Sequence, residues 1–221
     1  MRCSDMVVIP LLLTVGICSV AQTGRNDEPY CQNAPKKVEI TEADATILGL
    51  SIGRSSLEDV QEKFGRAEIE RVSREEESDV SVCYISPIDQ TILVFYSGAM
   101  GGWKDVTWFA IWSREAAFPH ASQCASSTLV SQSVATDSGL RVGLTKKEVA
   151  GIAGRPTKIG PTSSKYEGLC LQKMTEEQIK GFKANNWDVT KDPYLDRMSW
   201  IDVRYVNSIA ARLEIGRIES Y

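Results

Sequence analysis

The chain has 221 residues and a formal charge of -4, without the basic excess that a nucleic-acid partner calls for. Its one strongly apolar stretch, residues 6–18, is too short for a bilayer crossing of about 20 residues, and no later stretch is apolar enough to span a membrane. The rest is long enough for one large or two small domains with real cores.

In chain order, Arg2 precedes the apolar stretch, and Ser19, Val20 and Ala21 put small residues where a signal peptidase cuts. Residues 1–21 therefore read as an export signal, and the mature protein as periplasmic or secreted. Its removal takes Arg2 and Asp5 together, which leaves the charge unchanged. Residues 22–45 form a polar, turn-rich leader with a β-type run at 37–41.

A segment that occurs twice follows. The first copy, residues 52–67, reads IGRSSLEDVQEKFGRA; the second, residues 142–156, reads VGLTKKEVAGIAGRP. Each opens on an apolar residue and Gly, then offers a hydroxyl and a carboxylate three residues apart. Those are Thr145 with Glu148, and Ser56 with Asp59 or Ser55 with Glu58, the spacing of a capping box. Leu57, Val60 and Phe64 in one copy, and Val149, Ile152 and Ala153 in the other, then line one side of a short helix. Gly65 and Gly154 end the two helices, and Pro156 stops the second from restarting.

Strand-length runs rich in β-branched and aromatic residues come after each copy. They fall at 67–73, 80–85, 91–96 and 106–112, and again at 157–160, 165–172, 199–206 and 211–218, with a further β-like run at 129–134. Glu75, Glu76, Glu77 and Asp79 read as a solvated hairpin tip. The expected fold is α+β, built as two tandem repeats, each a short helix packed on an antiparallel four-stranded sheet. Repeat 1 spans 46–118, a linker 119–135, and repeat 2 136–221 with a helical insertion at 175–197 that opens on the capping box TEEQ.

Cys31, Cys83, Cys124 and Cys170 remain after the signal, an even number that reads as two disulfides with three possible connectivities. The duplication favours one bridge per repeat, Cys31–Cys83 and Cys124–Cys170. Close cysteine pairs of the zinc-site kind are missing from the sequence, and Asp188, Thr190 and Asp192 lack the Gly and closing Glu of a calcium loop, so neither a metal nor a cofactor is expected. Gly49-Leu50-Ser51-Ile52-Gly53 matches a nucleophile elbow, but the second copy has Arg141 in place of the serine and the base would have to be His120 in the linker. A serine hydrolase is thus the weakest reading, and the chain is not expected to be an enzyme.

What remains is surface. In repeat 2, Ile201, Val203, Tyr205, Leu213 and Ile215 alternate with Trp200, Asp202, Arg204, Arg212 and Glu214, so the first set packs on the helix. The same register in repeat 1 puts Leu93, Phe95, Phe109 and Ile111 inside, and Ile92, Val94, Tyr96, Trp108, Ala110 and Trp112 outside. An outward apolar, tryptophan-bearing face is either a contact surface for another protein or is covered by repeat 2 or the linker around Phe118.

The repeated motif, with its G-L-T-x-x-E-V, closing G-x-P and following antiparallel sheet, resembles the repeat unit of β-lactamase inhibitory proteins and of the small outer-membrane assembly lipoproteins of the SmpA/OmlA family. The tandem arrangement is more similar to the inhibitors. That resemblance implies one continuous concave sheet that grips a partner protein, and a hairpin loop, here residues 86–90, whose acidic residue Asp89 is inserted into an enzyme cleft. Its other branch implies a structural component of cell-envelope assembly.

Overall fold

The computed structural model describes residues 40–74, 77–189 and 193–220. A small hairpin, β1 (Thr46–Ile47) and β2 (Leu50–Ser51), comes first. Leu48 and Gly49 form its turn at φ 51° and 77°, the left-handed pair a two-residue hairpin requires. Helix α1 (Leu57–Phe64) follows, then β3 (Glu70–Arg74), β4 (Glu77–Ile85), β5 (Ile92–Ser97) and β6 (Trp108–Trp112). The second half holds a short β7 (Ala125–Ser126), α2 (Lys146–Ala153), β8 (Lys158–Ile159), β9 (Ser163–Lys173), α3 (Glu176–Ala184), β10 (Tyr194–Val206) and β11 (Ile209–Ser220).

Both repeated segments fold as their caps dictate. Ser56 Oγ accepts from the Asp59 amide at 3.1 Å while the Asp59 carboxylate accepts from the Ser56 amide at 2.7 Å, which settles the choice left by the sequence in favour of that pair. Thr145 and Glu148 do the same at 3.3 and 2.7 Å. Gly65 and Gly154 end the helices at φ 97° and 84°. Val149 of α2 is buried, but Ile152 is exposed, so that helix buries a narrower stripe than its spacing suggests.

The main sheet runs β3-β4-β5-β6-β11-β10-β9-β8, an order that reads the same from either edge, with β7 pairing off this path in parallel with β4. The remaining pairs are antiparallel, and the two halves meet where β6 pairs β11, Ile111 opposite Leu213 and Phe109 opposite Ile215. Each helix entrance is held to its own half by matched backbone bonds. Gly53 N–H donates to Val106 O at 2.8 Å, and Gly143 N–H to Ala210 O at 2.8 Å. Val106 N–H in turn donates to Ser55 O, and Ala210 N–H to Leu144 O, at 2.8 and 2.7 Å.

Strand alternation divides the sheet into two faces. The inner face, under α1 and α2, carries Val82, Tyr84, Leu93, Phe95, Phe109 and Ile111 together with Tyr166, Ile201, Val203, Leu213 and Ile215 in one core that runs through both halves. The outer face carries a second cluster, of Cys83, Ile92, Val94, Tyr96, Trp108 and Ala110. The transferred register therefore assigns these side chains to the correct faces.

Other expectations are corrected. Residues 129–134 are not a strand: Val130 N–H bonds back to Ser127 O and Val134 N–H to Ser131 O, so serine-rich turns drop Val130 and Val134 into the core. Of the run 37–41, only Ile40 and Thr41 are among the described residues, and Thr41 opens a turn closed by Asp44. Glu75, Glu76, Thr190 and Asp192 lie outside the described residues, as does the whole of the signal and leader up to residue 39. Helix α3 forms with its Thr175–Gln178 capping box, and its Ile179 and Phe182 pack on Met174, Val189 and Leu195.

Candidate interaction surface on the outer sheet face

The outer face of the first half is covered. Residues 113–128 cross it through two short 3₁₀ turns, Arg114–Ala116 and Ala121–Gln123, before β7 adds to the edge of β4. Phe118, Ala121 and Cys124 pack onto the apolar cluster beneath, with the Phe118 ring 5.2 Å from that of Trp112. Trp108 is only 5 % exposed and stacks flat on Tyr96, while Ile92 and Val94 are buried and Trp112 is half-buried. Ile92, Val94, Tyr96, Trp108 and Trp112, expected as a partner-binding surface, thus leave almost no area for a partner in this conformation.

A disulfide fastens the cover, and it is not one of the expected pairs. Cys83 is bonded to Cys124, so neither Cys31–Cys83 nor Cys124–Cys170 forms. The reason is strand parity. Tyr84, opposite Leu93 and in line with Ile111 beyond it, holds the place in the first half that Tyr166, opposite Ile201 and in line with Ile215, holds in the second. Cys83 therefore faces outward, under the cover, whereas Cys170 lies on the inner side in line with Tyr166. Cys170 is itself disulfide-bonded. Cys31 lies outside the described residues.

The outer face of the second half is open. Leu169 on β9 stands beside Met198 on β10, 53 % and 44 % exposed, and Tyr194, 39 % exposed, lies beyond Asp196 on the same face. Trp200 lies flat across Gly216 on the neighbouring strand, where a Cβ would overlap its six-membered ring. Next to this patch is a charged row. Lys165 donates to Glu167 at 2.5 Å, and that bond, joined by the fields of Asp202 and Glu214, pushes the ammonium pKa up. Arg212 pairs with Glu214 and stacks 4.5 Å over Trp112, where the open and covered halves join. Among the described residues the edge of β9 is open as well. Strand β8 pairs only Ser164 and Lys165, and no described residue pairs residues 166–173 on that side.

Asp89 turns inward instead of projecting. Its Oδ2 accepts from the Gln132 amide at 2.7 Å and its Oδ1 from the Thr91 amide at 3.0 Å, so it ties the 86–90 loop to the linker. Burial raises its pKa, but the Gln132 and Thr91 amides outweigh that and hold the carboxyl below its usual range. The side chain the loop does present is Ile88, 85 % exposed.

Ser51 and His120 are not brought together. Ser51 Oγ shares a hydrogen bond with Thr46 Oγ1 at 2.8 Å within the β1–β2 hairpin, so the glycines of the elbow-like motif serve a tight turn. His120 sits in the outer cover, its Nδ1 2.9 Å from the Gln123 side chain. Among the described residues no cluster of His, Cys, Asp or Glu is placed to hold a metal ion, and no helix is long and apolar enough to cross a membrane. No family model, curated protein or solved structure matches this chain.

Leu169, Met198 and Tyr194 were within reach of sequence reasoning. Counting back in twos from Trp200 gives Met198, Asp196 and Tyr194 as outward. The helical insertion, taken to run to 197, hid the first residues of β10, which starts at Tyr194.

Proposed function

We propose that this chain is a duplicated α+β module that binds another protein outside the cytosol. Within that class the reading is an inhibitor of an envelope or extracellular enzyme, in the manner of the β-lactamase inhibitory proteins its motif resembles. Duplication is supported by the strand order that reads the same from both edges and by the matched bonds from Gly53 and Gly143. Export is supported by the Cys83–Cys124 disulfide, which suits an oxidising compartment.

The observation that carries the binding function is the pair of Leu169 and Met198, large apolar side chains exposed side by side on a sheet face whose other half is covered, with Tyr194 exposed beyond Asp196 on the same face. Contiguous exposed apolar side chains rimmed by charge mark contact surfaces. The experiment places a photo-crosslinking residue at position 169 or 198 of the oxidised protein in its exporting host. One discrete protein adduct is expected at both positions and none from a crosslinker at Ile88. Leu169→Asp with Met198→Asp is expected to abolish the adduct without lowering the unfolding midpoint. Capture that survives the double substitution defeats the reading.

A further inference from the structure

We propose that the cavity between Arg204 and Arg212 on the outer face is a binding site for a carboxylate. The two arginines stand directly opposite each other across β10 and β11, where like charges repel unless an anion lies between them. The pairing register shifts immediately after Arg204, and such bulges re-aim side chains beside functional sites. On the opposite side of β10, Tyr205 N–H donates to Thr162 O at 2.9 Å, continuing the β9 ladder and placing Thr162 at the rim. The opening holds about 220 Å³ and is lined by both arginines, Trp112, Thr162 and Glu115.

This lining is rich in donors and short of acceptors. Arg212 is held rigidly, stacked on Trp112 and paired through Nη2 with Glu214, yet its Nε–H is buried without an acceptor among the described residues. The Trp112 Nε1–H is buried in the same condition. Arg204 has no acceptor among the described residues, and Glu115 is the one anionic side chain of the lining, since Glu214, which pairs with Arg212, is not part of it. Buried donors without partners are uncommon in folded proteins. Two residues of one lining carry such donors, and beside the facing guanidinium groups they call for an oxyanion, of which a carboxylate best matches the planar fork of arginine. The volume is below that of ordinary small-molecule pockets, roughly 300–1,000 Å³, so the ligand group is small. Its source is an acidic side chain of another protein or a small free acid, and the site does not depend on the Leu169–Met198 surface being the one a partner uses.

The test uses the full oxidised chain with ¹⁵N-labelled tryptophan. The indole N–H resonance of Trp112, assigned by its loss in Trp112→Phe, is followed while sodium acetate replaces sodium chloride at constant ionic strength, and then with the peptide acetyl-Glu-Glu-amide. A saturable shift with acetate is expected, about tenfold weaker in Arg204→Gln, the loss of one charge-assisted hydrogen bond, and partly restored in Arg204→Lys. Arg204 is exposed, so these variants keep the fold, which far-ultraviolet circular dichroism verifies. A peptide that binds more tightly than acetate assigns the site to an acidic side chain of a protein; equal affinity assigns it to a small acid. A Trp112 resonance that acetate leaves unmoved, or moves equally in Arg204→Gln, overturns the proposal.

Discussion

Replacing Cys83 and Cys124 together by alanine tests how the outer cover is held. The bridge joins residues 41 apart in sequence. Closing a loop of that size in the unfolded chain removes conformational entropy equivalent to about 4 kcal/mol at 25 °C in the chain-entropy model. Packing adds little, because alanine retains the Cβ and only the sulfur of the buried Cys83 is lost from beneath the cover. With a urea m-value of about 2 kcal/mol/M, the midpoint of the double variant is expected to fall by roughly 2 M. Equilibrium urea unfolding measures this, followed by tryptophan fluorescence because Trp108 and Trp112 lie under or beside the cover. A non-reducing peptide map of the parent protein comes first. It should recover the Cys83–Cys124 peptide and should find Cys170 in a disulfide as well. A midpoint lowered by less than about 0.5 M at unchanged m-value, on the same m-value reasoning, would refute the claim that this bridge constrains the chain.

Asp89→Ala leaves the Gln132 and Thr91 amides without their acceptor and is expected to cost about 1–3 kcal/mol by urea unfolding, with Asp89→Asn milder because its carbonyl oxygen still accepts. Gly216→Ala forces Trp200 off the strand and is expected to cost about 1–3 kcal/mol, most of it recovered in a Trp200→Ala background if the clash is the cause. Burial pushes the pKa of Tyr84 and of Tyr166 up to about 12 from a model-compound value of 10.0. Since the fold keeps these protons longer than the unfolded chain does, stability should be whole below pH 10.0 and fall as the pH rises toward 12; thermal unfolding across that window checks the sign. Tyr84→Phe should flatten part of that fall, and an unchanged alkaline limb would count against the burial of this phenol.

The helices were legible because each carries its own boundary chemistry. Ser56 with Asp59 and Thr145 with Glu148 supply orphan amides with acceptors, and Gly65 and Gly154 take the backbone conformation other residues avoid. Inside and outside could also be read, since strand alternation depends on nothing beyond the strand itself. The failures came where long-range geometry decides. Residues 129–134 have β-type composition, but their serines satisfy local turns, and burial of Val130 and Val134 does not require a strand. Matching Cys83 with Cys170 by position along the two expected repeats missed that one faces out and the other in, a difference of parity that distance in sequence does not reveal. Asp89 had the composition of a projecting loop, yet the segment it bonds begins 43 residues further on. For the outer face, the sequence could give orientation; whether residues 113–128 would lie across it depended on where the Cys124 sulfur found its partner.

The cover also has a consequence for proteolysis. Arg114, Pro119, His120, Ser122 and Gln123 are exposed and all precede Cys124, so a protease that cuts among them separates the backbone into an amino-terminal fragment holding Cys83 and a carboxy-terminal fragment holding Cys124. The bond between those sulfurs keeps the fragments in one covalent species, and the β6–β11 pairing keeps them aligned. A clipped molecule would therefore migrate as intact protein on a gel until a thiol reductant is added, and only then resolve into two bands.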